Sequence, residues 1–456
     1  MLILRVLQRV LTLIRTIVLA RILSPNDFGL FGIALLALSA LETFSQTGFH
    51  HALIQKKNDI SPYLNTAWTV QLARGIFLAT LLFISSPFIA GFFNEPDAID
   101  LLKALGLSII LQDARNIGIV FFQKELEFRK QFFFMFSGTL ADFCVAIAAA
   151  LILKNSWALV FGLIAGNLVR MIVSYIVHPY RPSLCFNIGQ CKELFGFGRW
   201  VLGSNILIFL ITHGDDVLLG RILGTTTLGL YQMAYRLSNL PATEITHVIS
   251  QVSYPAFSKL QDNMQGLKNA YLKIQQNIAY LALPLSSLII VLAPDFTAIF
   301  LGEKWLPIVP AMQILTLWGL IRALGNVTEL ARAVGKPKIG TYVHIVHLVF
   351  LAIFIYPLTL RWGMVGTSLA VLFASFIMRV VSVFSVLKII NCTIFEFGER
   401  LMKPFFISFI SLIPLFALKE YCLTPEGIVS FCIYLGVFCL TWGILMYLAT
   451  QFSNKP

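Results

Sequence analysis

Four arginines lie deep inside apolar stretches of this 456-residue chain: Arg15, Arg74, Arg236 and Arg322. A guanidinium stays charged and presents a planar fork of donors that pairs bidentately with phosphate oxygens. Carboxylates share the setting: Asp113, Glu42, Asp142, Asp216, Glu244 and Glu329. Inside an apolar bundle a carboxylate either couples to a cation or neutralises an arginine. For Glu42, Asp142, Glu244 and Glu329 both readings stay open. An arginine or aspartate facing lipid at mid-helix costs roughly 2.5–3.5 kcal/mol even on a lenient scale. These groups must therefore be paired, reach a headgroup, or meet cavity water.

Their spacing favours the cavity. At 100° per residue, Arg5, Gln8, Arg9, Thr12, Arg15 and Thr16 share one face of a first helix whose other face is Leu, Ile and Val. Ser39, Glu42, Thr43, Gln46 and His50 line a second, and Asn205, Thr212 and Asp216 a seventh. The eighth carries the longest band: Gln232, Tyr235, Arg236, Asn239, Thr243, Thr246, His247, Ser250 and Tyr254. Gln46, Asn205, Gln232, Tyr235, Asn239, Thr243 and His247 are thus candidates for the polar wall of a wet cavity. Arg5, Arg9, Arg115, Arg170 and Arg379 lie nearer helix ends and read as side chains reaching for headgroups. Asp215 reads as a solvated helix-end residue beside Asp216.

The elements that hold these residues are apolar helices. The chain is 58% hydrophobic and 12% charged, with a mean hydropathy of +0.82. That charge fraction is about half the ~25% of a soluble domain, so a polytopic membrane protein is expected. Apolar runs give about fourteen spans, near 2–22, 28–52, 65–93, 98–122, 132–153, 157–178, 195–219, 228–256, 272–300, 307–331, 339–360, 363–387, 404–419 and 427–450. The short span at 404–419 extends, on this reading, back toward Phe395. Basic residues gather in alternate loops, among them Lys124, Arg129, Lys130, Lys192, Lys259 and Lys336. The positive-inside rule puts those loops, and with an even span count both termini, in the cytoplasm. It also accounts for the net charge of +12 without nucleic acid. The seven cysteines are scattered, with no CxxC or His/Cys cluster, so no metal or cofactor site is expected.

The chain also repeats itself. Leu19-Ala-Arg-Ile-Leu23 through Phe28-Gly-Leu-Phe31 to Ala34 returns as Leu219-Gly-Arg-Ile-Leu223 through Leu228-Gly-Leu-Tyr231 to Ala234. Ser39 pairs with Asn239, Thr43 with Thr243, Gln46 with Thr246 and His50 with Ser250 on the same register. Arg115 and Gly118 can be set against Arg322 and Gly325. A duplicated helical unit follows: 1–178 as one six-helix lobe, 179–194 as a connector, 195–390 as a second six-helix lobe, and 391–456 as a two-helix tail. Matching polar faces suggest a shared central cavity, as in transporters built from repeats.

Leu19 to Gly29, with Gly48-Phe49 and Ala52-Leu-Ile-Gln55, resembles the opening signature of the Wzx-type polysaccharide flippases, within the superfamily of MATE exporters and lipid flippases. Asp215-Asp-Val-Leu-Leu-Gly-Arg-Ile-Leu-Gly224 is similar to that family's second-half signature. The resemblance implies a two-lobe, all-α fold. It implies transfer of an undecaprenyl-diphosphate-linked oligosaccharide across a bacterial inner membrane by alternating access, driven by a proton or sodium gradient. The expected partners are that lipid-linked substrate, membrane lipids and the polysaccharide polymerase machinery. Family members usually carry a short lead before the first span, which here starts almost at Met1.

On this reading Arg15, Arg74, Arg236 and Arg322 hold the diphosphate, and Glu42, Asp142, Asp216 or Glu244 couple the ion. A cation-coupled drug antiporter on the same fold would favour carboxylates and aromatics over arginine. An integral membrane glycosyltransferase or polymerase would need catalytic carboxylates and usually a sizeable external loop. No loop here is long enough to fold as an enzyme domain, so no catalytic residue is expected.

Overall fold

The computed structural model describes residues 2–46, 48–56, 59–325, 327–336, 338–421 and 427–453. Among them the secondary structure is helical, without a strand. α1 (Leu2–Ile22) leads into α2 (Pro25–Phe44) through a reciprocal cap. The Ser24 hydroxyl accepts from the Asp27 N–H, and the Asp27 carboxylate accepts from the Ser24 N–H. Pro25 at the first helical position needs no partner for the N–H it lacks. α3 (Phe49–Gln55), α4 (Ser61–Phe93), α5 (Ala98–Asp113), α6 (Val120–Lys124), α7 (Phe128–Leu153) and α8 (Trp157–Val177) follow. α9 (Ile188–Lys259) contains one non-helical residue, Gly224, at φ 80°. After it come α10 (Met264–Phe296), α11 (Val309–Ala323), α12 (Val327–Ala333), α13 (Lys338–Ile389), α14 (Ile394–Tyr421) and α15 (Ile428–Ser453). α13 breaks at Trp362 and Gly363.

Among the described residues, nine helices are long and apolar enough to cross a membrane, or ten with one bent pair counted as a span. Fourteen spans were expected from the sequence. α1 misses the measure because Arg5, Arg9 and Arg15 crowd it. Two expected spans are broken. The stretch 28–52 ends its helix at Phe44, and Gly48 at φ 71° starts the short α3. The stretch 98–122 is α5 followed by a 66° bend. The span at 404–419 does extend back, to Ile394.

Packing divides the chain into two compact units, Met1–Leu230 and Tyr231–Pro456. The division falls inside α9, beyond the connector at 179–194. In the first unit, Gly29 lies against the backbone of Thr225, and a methyl group at Gly29 would overlap that carbonyl. A methyl group at Gly229 would overlap the carbonyl of Pro25. The contacts are reciprocal, since Pro25 and Thr225, and Gly29 and Gly229, are paired positions of the repeat. The Thr225 hydroxyl also donates to the Glu95 carboxylate, and the Thr226 hydroxyl to Asn26 Oδ1. The glycines of the repeat are therefore there for backbone approach, which is what drives helices together where lipid removes the hydrophobic incentive.

α7 and α8 use the same device. A Cβ on Gly166 would sit 2.9 Å from the Gly138 carbonyl oxygen, and one on Gly162 would sit 2.6 Å from the Ala146 methyl. Beneath the bend after α5, Phe49, Leu53, Ile60, Leu64, Ala67, Ile117 and Val120 form a buried cluster that ties α3, the start of α4 and the bend into one body. In the second unit a buried cluster includes Phe257, Leu267, Tyr271, Leu330, Val343 and Leu387.

Candidate functional site

The first unit contains a cavity of about 380 Å³ where α4 meets the bend after α5. Its wall holds two guanidiniums, Arg74 and Arg115, and one carboxylate, Asp113. Around them stand the amides of Gln46, Gln71, Gln112, Gln123 and Asn116. Asp113 is 1% exposed and grips Arg74 bidentately: Nε donates to Oδ2 at 3.1 Å and Nη2 to Oδ1 at 3.0 Å. Gly75 makes the room, since a Cβ there would stand 2.7 Å from that of Asp113. Glu42 accepts from Gln112 Nε2 at 2.8 Å.

The bend is held from α8 and the segment after it. The Ser174 hydroxyl accepts from the Asn116 N–H at 2.9 Å, and Asn116 Nδ2 donates to the Tyr180 carbonyl at 2.6 Å. Asn116 Oδ1 accepts from the Gly118 N–H, and the Tyr175 hydroxyl donates to the Ala114 carbonyl. His178 packs on Gly118 and stacks on Phe121. Arg115 thus projects from a backbone pinned on both sides. Its Nη2 donates to Asn167 Oδ1 at 2.7 Å, and its Nε is buried with no partner among the described residues. Arg170 Nη1 donates to the same Asn167 oxygen at 3.2 Å. Asn167 is oriented for this, because its Nδ2 donates to the Ser108 hydroxyl at 2.6 Å.

The diphosphate and ion-coupling candidates of the sequence distribute as follows. Arg15, 9% exposed, donates through Nη2 to Asp142 Oδ1 at 2.8 Å, so α1 and α7 are joined by an ion pair. Arg74 and Gln46 line the cavity. Asp216 Oδ2 lies 3.6 Å from His213 Nδ1. Asp215, expected to be a solvated helix-end residue, is 2% exposed, because α9 continues through it to Lys259. In the second unit Arg236 and Arg322 are exposed. Arg322 stands 5.6 Å from the centre of the Trp318 ring, and Tyr235 packs on the same ring with centres 5.1 Å apart. Asn239 is buried and donates to the Tyr235 carbonyl. Gln232 and Thr243 are half-buried. The side chains of Asn205, Glu244 and His247 lie outside the described residues.

Two groups of this site escaped the sequence reading. Arg115 and Arg170, assigned there to headgroups, instead turn inward and meet at Asn167. For Arg115 the bend makes the difference, since the residue sits at a 66° break and not near the end of a straight helix. A signal existed. Asn167, Arg170 and Ser174 recur at helical spacing on α8, and Gln112, Asp113, Arg115 and Asn116 crowd the end of α5.

Such a wall can hold an anion and hydrogen-bond hydroxyl groups. Residues 18–310 match the family model described as polysaccharide biosynthesis protein. The chain is similar to the lipopolysaccharide biosynthesis protein WzxC of Escherichia coli (strain K12), 28% identical over 420 residues, covering 90% of this chain and 84% of that protein. It is similar to the succinoglycan biosynthesis transport protein ExoT of Rhizobium meliloti (strain 1021), 25% identical over 320 residues, covering 70% and 65% of the two chains. Its fold is that of the lipid II flippase MurJ in an inward closed conformation, with a TM-score of 0.79 over 99% of both chains at 15% identity.

Proposed function

The chain belongs to the polysaccharide biosynthesis protein family, and from that premise we propose that it is a flippase for a lipid-linked oligosaccharide. It carries an undecaprenyl-diphosphate-linked repeat unit across the bacterial inner membrane by alternating access, for assembly of a surface polysaccharide. It is a transporter and catalyses no covalent step. The observation that carries the reading is the charged, amide-lined cavity inside an otherwise apolar helical unit. A diphosphate calls for guanidiniums and a sugar calls for amides and hydroxyls, while the polyprenyl chain stays in lipid. Two arginines against one carboxylate on that wall argue against an exporter of cationic drugs.

Arg15, Arg74, Arg236 and Arg322 are the proposed contacts to the diphosphate along its path, with Gln46, Asn205, Gln232, Tyr235, Asn239, Thr243 and His247 serving the sugar. A proton or sodium gradient drives transport through Asp216 or Glu244, with Glu42 and Asp142 as further candidates. Both termini lie in the cytoplasm, and a polysaccharide polymerase receives the product. The test is surface polymer in a strain lacking the chromosomal gene, complemented in turn with glutamine at each of the four arginines. Loss of polymer with protein retained in the membrane supports the reading, and normal export in all four variants overturns the assignment of these residues. Asn at 216 or Gln at 244 should remove the gradient dependence of transport in liposomes.

A further inference from the structure

Arg74 and Arg15 are spent on carboxylates, Asp113 and Asp142, within their own unit. Arg115 is not. Among the described residues it has no ion-pair partner, and its hydrogen bond goes to the neutral Asn167 oxygen that it shares with Arg170. Asp113 and Glu42 are near enough for their fields to reach it, yet Asp113 is paired with Arg74, and Glu42, bonded to Gln112, lies outside the cavity lining. Counted over its lining, the cavity carries one positive charge in excess, and Arg115 is where that excess resides. The residue is also pre-set. Asn116 and Ala114 on either side of it are fixed by Ser174, Tyr180 and Tyr175, so little ordering is left for a ligand to impose.

We infer that Arg115 is a further anion-binding residue of this cavity, held there by Asn167, and that the anion is the phosphate or diphosphate group of a ligand. The inference rests on the flippase reading for its ligand class, and it adds to the four arginines named above a contact whose charge no carboxylate of the cavity wall already pairs. Arg115 gives the anion its uncompensated charge and Arg170 adds a second positive field behind it. Asn167 keeps both guanidiniums apart and aimed, while the amides of Gln71 and Gln112 complete the wall.

The test uses the full-length protein in nanodiscs of uncharged phospholipid. The probes are undecaprenyl diphosphate placed in the disc and inorganic pyrophosphate in solution. Arg115→Gln should weaken binding by about 10-fold or more, the loss expected for one charge-assisted contact. Arg115→Lys should fall between. Asn167→Asp leaves Arg115 in place but supplies the carboxylate it lacks, and should weaken binding similarly. Retention of wild-type affinity by a folded Arg115→Gln or Asn167→Asp protein overturns the inference. An Arg115-dependent response to the lipid probe alone assigns the anion to a lipid headgroup, and the same response to pyrophosphate assigns it to a free phosphate. The flippase reading fails by a different result, namely wild-type protein that moves no lipid-linked oligosaccharide in liposomes.

Discussion

Arg115 and Arg322 occupy corresponding places in the two halves, each just past or at the end of a helix that a short second helix follows. Their surroundings differ. Arg115 is turned into a cavity, bonded to Asn167, with the Arg74–Asp113 pair beside it. Arg322 is exposed and lies over Trp318, which packs on Tyr235. The first unit has put this group of charges inside and locked it with carboxylates and amides, while its Lys103–Asp100 and Lys130–Glu127 pairs stay open. The second has put an aromatic surface at the matching place, and its described ion pairs, Lys268–Glu396 and Lys419–Asp295, are, taken as pairs, more open than Arg74–Asp113. A duplicated helical frame has thus been kept while the polar content diverged, which suits a substrate with a charged end and an amphipathic body.

The comparison breaks first at Asp113. Replacing it with Ala strands Arg74 in the cavity wall and should cost on the order of 3–5 kcal/mol, read as a fall in thermal midpoint of the detergent-solubilised protein. Asp295→Ala in the second unit should cost no more than about 1 kcal/mol, since both partners of that pair are about a quarter exposed. Equal losses would erase the distinction. Function should divide the same way. Arg115→Gln should lower polymer export about 10-fold or more with the protein still in the membrane, whereas Arg322→Lys should cost only a few-fold, because a charge above an aromatic ring does not need a fork.

Packing gives a smaller contrast. Gly29→Ala forces α2 away from Thr225 and should destabilise by about 1–3 kcal/mol, the usual penalty for overpacking. Gly436→Ala, on α15 with open space around its Cα, should be neutral or stabilising by up to about 1 kcal/mol. The smallest effect concerns Glu95. Burial, ahead of any other cause, holds its carboxyl above the ordinary 4.5, with hydrogen bonding to Thr225 pulling down and Asp97 pushing up. A raised folded value means that the native state binds the proton more readily than the unfolded chain. Stability should therefore decline as pH rises from 4.5 through that raised value, and Glu95→Gln should flatten the slope in thermal melts taken across the window.

Much of the frame could be read in the residues. The repeat predicted paired elements, and Gly29 with Gly229 turned out to be the two ends of one reciprocal contact. The stripe on the first helix holds Arg15, which meets Asp142, and Arg74 lines the cavity of the first unit. The helical period could not show the bend at Ala114–Asn116, because it depends on hydrogen bonds from Ser174, Tyr175 and Tyr180, some sixty residues on. Without the bend Arg115 reads as a headgroup anchor. The pairing of Arg74 with Asp113 was similarly hidden, since only the close passage of α4 and α5 at Gly75 brings the two together.

The central claim is best tested by reconstituting the full-length protein in sealed liposomes that hold an undecaprenyl-diphosphate-linked oligosaccharide, and measuring how fast a membrane-impermeant glycosidase cleaves the sugar from inner-leaflet molecules that reach the outer face. Faster cleavage with wild-type protein than with protein-free liposomes, slowed by Arg115→Gln, is the predicted result. Cleavage that stops at the outer-leaflet fraction in both preparations would contradict the claim.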